Sequence, residues 1–283
     1  MGDRPSATDA EVLQEQGARG GNRLLLFDHD GEPRLLKCYR GRRGWFRDAF
    51  RNLGHWFEGK RATTPAARYR TELTSLSLWA EHRFDVPAVF DDPLPDGIDE
   101  PALWMAYCPG PTLRDVLRER ALPDAVIRDL LRQYGVSLGT RQAAALEKRE
   151  PLLVHEHASV FHVLVHAGRL VTFDLEGGYR KGANLDGALE QELGGFARSI
   201  LRARPEDAAP YVDALMEGYV GGNTARYTQA QEIAQRGIAG RGLLRRVRRM
   251  RAAWRRRFKG KPSKADGCRL VLAALAKHQL ARS

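Results

Sequence analysis

Residues 154–179 (VHEHASVFHVLVHAGRLVTFDLEGGY) limit what this chain can fold into more than any other stretch. Two short β-branched runs, 163–165 and 169–173, flank Ala167-Gly168, which is a hairpin signal. The residues before them, 155–162, form a polar turn crowded with histidine. Asp174 stands at the exit of the returning strand, so an apolar element delivers its carboxylate. A hard cation takes carboxylate oxygen, which makes Asp174 the first candidate metal ligand. Four histidines within twelve residues, His155, His157, His162 and His166, also suggest a zinc site. No cysteine or more distant ligand completes that set.

With 283 residues and 43% apolar residues, the chain suits one large domain or two lobes with a substantial core. Cys38, Cys108 and Cys268 are scattered and form neither a metal spacing nor a disulfide framework, so a reducing cytoplasm is the expected setting. The first thirty residues lack an apolar signal core, and no apolar run is long enough to span a bilayer. The net charge of +11 is local: residues 241–264 hold nine Arg, three Lys and no acid, and without those twelve charges the total falls to −1.

Taken in order, residues 1–16 read as a polar lead-in and 17–22 as a glycine-rich turn. Residues 23–27 and 34–39 read as strands joined by a turn at 28–32, with Lys37 on the second strand. Residues 40–61 are basic with interleaved aromatics, a pattern for phosphate or carboxylate contact or for a solvated helix. Residues 66–82 have helical periodicity, with Tyr69, Leu73, Leu76 and Trp79 on one face and Glu72 near the start. Residues 102–107 read as a buried strand, broken at 108–111, after which Thr112 caps a helix running to Arg120. Helical patterns follow at 123–145, with Val126, Leu130, Tyr134, Leu138 and Ala145 on one stripe, and at 185–203, 208–219 and 225–236. Asp186 and Glu192 read as fold-stabilising. Strands first and helices after make the chain α+β.

The run His155, His162, Leu164 and Asp174-Leu175 resembles the catalytic and metal-binding loops of protein-kinase-like proteins. It is more similar still to the bacterial lipopolysaccharide core heptose kinase family. A second segment, Gly44, Trp45, Phe50, Asn52 and Leu53, is similar to the insertion that follows the strand lysine in that family. The resemblance implies a two-lobed kinase-like fold: a small β-rich N-lobe over 1–107, a mainly helical C-lobe over 108–240, and a basic tail over 241–283. It implies ATP and Mg²⁺ as cofactors. Gly17, Gly20 and Gly21 would lie over the phosphates, Lys37 would reach them, and Glu72 would pair with Lys37. Backbone groups around Met105 and Tyr107 would meet the adenine edge. Asp174 would hold Mg²⁺, and His162 would stand at the second metal or the phosphates. His155 would pack beneath the loop.

One position departs from the family. His157 stands where the catalytic Asp belongs. An imidazole accepts a proton near neutral pH but lacks the anionic pull of a carboxylate, and when charged it repels the metal. Glu156 is the neighbouring substitute base. The resemblance therefore implies an ATP-dependent kinase for a sugar hydroxyl of the lipopolysaccharide inner core, peripheral on the cytoplasmic face of the inner membrane. The alternatives are a pseudokinase that binds nucleotide or serves as a scaffold, or a kinase for another acceptor such as protein.

In the basic tail, Leu243, Leu244, Val247, Met250, Trp254 and Phe258 recur at helical spacing, and arginines including Arg245, Arg246, Arg249 and Arg256 fill the remaining surface. A basic amphipathic helix suits an anionic membrane face or an acidic substrate. A core-packed helix with a solvated basic face is the next reading. Nucleic acid ranks last, because no module for it accompanies the helix.

Overall fold

A computed structural model describes residues 11–15, 22–41, 59–120, 122–239 and 262–280. The glycine turn with Gly17, Gly20 and Gly21, the basic insertion at 42–58, and Arg245, Arg246, Arg249 and Arg256 lie outside the described residues. The protein is mixed α+β, with seven strands and seven α-helices among the described residues. None of those helices is long and apolar enough to cross a membrane. The chain divides into two compact units: residues 1–109 with 171–183, and residues 110–170 with 184–283. The first boundary falls two residues beyond the one expected at 107. The segment carrying Asp174 belongs with the first unit.

In the first unit, strands β1 (Glu11–Glu15), β2 (Arg23–His29), β3 (Glu32–Cys38), β4 (Val89–Phe90) and β5 (Ala102–Ala106) form one antiparallel sheet ordered β1-β2-β3-β5-β4. Asp30 and Gly31, both at positive φ, make the two-residue connection between β2 and β3, so the strands run further into the expected turn at 28–32. β1 corrects the reading of 1–16 as a polar lead-in. An edge strand is recruited by main-chain pairing and needs no apolar alternation of its own. One face of the sheet buries Leu25, Phe27, Leu36, Cys38, Ala102 and Trp104. Successive side chains on a strand point to opposite faces, so Lys37 and Tyr39 share the other.

Helix α1 (Pro65–Glu81) starts at Thr64, whose side chain accepts from the Ala67 amide, with Pro65 in the first turn. Its buried face is Arg68, Thr71, Glu72, Ser75, Leu76 and Trp79. The expected apolar stripe therefore covers only part of it. Tyr69 and Leu73 are half-buried, because the face toward the sheet carries polar groups that meet other polar groups.

The second unit holds α2 (Leu113–Glu119), α3 (Asp124–Lys148), α4 (Leu185–Ala203), α5 (Ala208–Val220), α6 (Thr224–Ala239) and α7 (Lys264–Leu280). Thr112 and Asp115 form a reciprocal capping box on α2. Val126 is 43% exposed on α3, and Ile127 takes its place in the core. Helix α7 lies in what the sequence presents as tail, and it buries Cys268, Val271, Ala274 and Leu275. Strand β6 (Val163–His166) leads through Ala167-Gly168, both at positive φ, into β7 (Arg169–Thr172).

Candidate functional site

Lys37 is the penultimate residue of β3, opposite Leu24 on β2 and Leu103 on β5. Its ammonium is 2.7 Å from Glu72, 2.8 Å from Asp174 and 3.5 Å from Glu176. Glu72 lies two turns into α1 and is buried. Tyr39, two residues beyond Lys37 on the same face, donates its hydroxyl to Glu72 at 2.6 Å. Asp174 and Glu176 come from the segment 171–183, which is pinned on both sides of them. The Thr172 amide donates to the Asp85 carbonyl at 2.9 Å. Further along, Arg61 donates to Gly178 and Arg180 to Gly59, each at 2.8 Å, bracketing a bridge between Lys60 and Tyr179. Asp174 itself has φ +65°, an uncommon conformation that Asp tolerates better than most residues and that marks a constrained turn.

Arg68 is one turn before Glu72 on α1. Its guanidinium donates to Asn22 at 2.8 Å, to Glu176 at 3.3 Å and to the Arg40 carbonyl at 2.5 Å. Asn22 in turn donates to Glu176 at 2.5 Å. Lys37, Glu72 and Asp174 are thus brought together as candidate residues. Tyr39, Arg68, Asn22 and Glu176 join them without having been singled out from the sequence. The signals for two of them were present: Glu176 is two residues from Asp174, and Arg68 is four from Glu72, a spacing that puts both on one helix face.

Ligand atoms of Glu72, Asp174 and Glu176 all lie within 4.8 Å of one another. Among the described residues, three carboxylates meet two cations here, Lys37 and Arg68. Burial alone would lower the Lys37 pKa, but Asp174, Glu72 and Glu176 together hold it well above the ordinary lysine range. Burial raises the Glu72 carboxyl, with Lys37 opposing that shift. Burial, followed by the Glu72 charge, raises the Tyr39 phenol. Asp174 is the most exposed acid of the three, at 31%, against 15% for Glu176 and 1% for Glu72. An oxygen set with two partly exposed carboxylates fits a hard divalent cation better than a soft one.

Met105 sits inside the sheet, opposite Leu35 on β3 and Val89 on β4, so its strand is flanked on both sides. Tyr107 follows the last residue of β5 and is half-buried.

The histidine loop belongs to the second unit. Glu192 on α4 organises its start. The Glu192 carboxylate takes Arg141 at 2.5 Å, Gln142 at 2.8 Å and the His155 amide at 2.8 Å, while Arg141 also donates to the Leu153 carbonyl at 2.7 Å. His155 is buried. Glu156 is buried as well, and His157 is exposed, its Nε2 3.6 Å from Glu156. His162 donates through Nδ1 to the His157 carbonyl at 2.8 Å. Among the described residues the four histidines do not gather into a metal-ligand cluster, which corrects the zinc reading. The rings of His155 and His162 lie 5.4 Å apart and tilted to one another, but the four side chains do not bring their ring nitrogens together around one point. No protein-family model matches the chain, and no curated protein matches it.

Proposed function

We propose that the protein is a nucleotide- and Mg²⁺-dependent phosphotransferase of two-lobed, kinase-like design. The observation that carries this reading is the convergence of Lys37, Glu72 and Asp174 within ion-pair distance. Phosphoryl transfer is mostly positioning and charge neutralisation, and this set supplies both. Lys37, anchored by Glu72, holds the α- and β-phosphates of ATP. Asp174, with Glu176 beside it, holds the cation. Bound Mg²⁺ neutralises charge on the transferred phosphoryl oxygens. Met105 and Tyr107 mark the strand end near which the adenine edge binds, with Tyr107 the more accessible of the two.

The acceptor follows from the resemblance to the lipopolysaccharide core heptose kinases. We take it to be a sugar hydroxyl of the inner core, reached from the cytoplasmic face of the bacterial inner membrane, with the basic tail on anionic lipid. His157 is then the group facing the acceptor hydroxyl. Glu156, buried 3.6 Å away, orients that imidazole rather than replacing it as base. The absence of an exposed carboxylate at 156–157 favours a second reading, a pseudokinase that binds ATP without transferring phosphate.

A thermal-shift titration tests the first step. ATP with Mg²⁺ raises the melting temperature of the parent chain, and Asp174→Ala removes most of that response. No response in the parent chain ends the nucleotide reading. Transfer of labelled phosphate to core oligosaccharide then separates enzyme from pseudokinase. Transfer by the parent chain that is lost in His157→Ala supports the enzyme, and absence of transfer in both parent and His157→Asp supports the pseudokinase.

A further inference from the structure

A cavity of about 380 Å³ lies in the second unit, lined by the histidine loop and by helices α2 and α4. Four guanidinium groups line it: Arg114 and Arg118 from α2, Arg198 and Arg202 from α4. Each pair is spaced i, i+4, so each helix turns two cations to one side. Like charges at that spacing weaken a helix unless something opposite in charge sits between them. Little does. Among the described residues Glu156 is the one carboxylate in the lining, against four arginines. Arg114 meets Asp115 at 3.1 Å, but Asp115 is also held by Thr112 in the capping box. Arg202 reaches the Pro262 carbonyl at 3.4 Å. The Nε of Arg198 is buried with no hydrogen-bond partner among the described residues. Burial and then the Arg202 charge pull the Arg198 pKa down, the direction expected of a cation without enough counter-charge.

An uncompensated cluster of this kind matches an anion with several acceptor oxygens. Guanidinium groups pair with phosphate through parallel hydrogen bonds, and two helices supply them from two directions. The space admits a small phosphorylated molecule. We propose that this cavity binds the phosphomonoester group of a small ligand, held by Arg114, Arg118, Arg198 and Arg202 beside His157. The site shares Glu156 and His157 with the phosphotransferase reading, but none of its four arginines, nor any other lining residue, belongs to the Lys37 cluster. If that reading also holds, the cavity selects an acceptor that already carries phosphate.

Calorimetric titration of the full chain with inorganic phosphate and with glucose 6-phosphate tests this, at ionic strength held constant with chloride. Both bind saturably, and glucose does not bind. The double variant Arg198→Gln/Arg202→Gln weakens phosphate binding by about tenfold or more, the scale for losing charge-assisted contacts. Asp174→Ala leaves it unchanged. Should the double variant fail to fold, Arg118→Gln decides, since that side chain is exposed and its loss must still weaken phosphate binding. Absence of saturable phosphate binding, or parent-like affinity in a folded Arg198 and Arg202 variant, overturns the proposal. Phosphate binding without an ATP response removes only the nucleotide reading. An ATP response without binding at the arginine cavity removes only this one.

Discussion

Lys37 is the ammonium on which three carboxylates converge, and its removal leaves them facing one another within 4.8 Å. Lys37→Met keeps most of the side-chain volume and deletes the charge. Breaking a buried ion pair on one side costs about 3–5 kcal/mol, so urea unfolding of this variant near neutral pH reports a loss of that order. The deficit also depends on pH. In the parent chain the raised Lys37 pKa gives stability that is present below the unfolded value, about 10.4, and is lost as pH rises toward the folded one. Glu72 works in the same sense, over a lower pH range. Its raised pKa makes the folded state bind a proton more readily, which favours folding as pH falls. Without Lys37 that shift grows, so Lys37→Met recovers stability on acidification from pH 7 toward 5. A deficit that stays constant over that range contradicts the cluster. Lys37, Glu72 and Asp174 stand out in the sequence through the resemblance to kinase-like proteins, each on a regular element or at its exit. Tyr39 does not, because the sheet face it shares with Lys37 is buried against charge, which apolar alternation cannot reveal.

Helices α3 and α5 show a contact that hydropathy patterning misses. A Cβ added at Gly135 would lie 2.1 Å from the Leu215 carbonyl oxygen, and one at Gly218 would lie 1.9 Å from the Arg132 carbonyl oxygen. The two backbones therefore meet through glycine on both sides, and Gly139 continues the line against Tyr219. That is why Val126, placed on the expected stripe, is exposed: the contact line of α3 runs through its glycines and not only through its large apolar residues. Helix α7 escaped the sequence reading for the same reason. Its inward face is Gly267, Cys268, Val271 and Ala274, and a Cβ at Gly267 would approach the Gly194 carbonyl oxygen at 2.6 Å. Gly135→Ala consequently forces the helices apart. It costs about 1–3 kcal/mol, the range for overpacking, and lowers the urea midpoint. A gain in stability, as helix propensity alone would give, contradicts this packing.

On the scale of the whole molecule, charge and fold are unevenly distributed. The first unit is a sheet, one helix and a returning segment, and the second is helical, yet neither explains the net charge of +11. The excess comes from residues 241–264, and the rest of the chain is close to neutral. The proposed membrane contact therefore rests on that stretch. Near an anionic surface each Arg contributes about 1 kcal/mol, so four of them amount to roughly 10²–10³-fold in partitioning. Replacing Arg245, Arg246, Arg249 and Arg256 with Gln keeps the chain length before α7, whose buried Cys268, Val271 and Leu275 anchor it in the second unit. Co-sedimentation with vesicles then has a defined outcome. The parent chain binds vesicles containing phosphatidylglycerol and ignores neutral ones, binding falls as salt rises because exposed charges are screened beyond about 10 Å at 0.1 M, and the four-Gln variant loses most of it. Binding to neutral vesicles, or undiminished binding by the variant, removes the basic stretch as the membrane contact and returns it to the role of a solvated, packed segment.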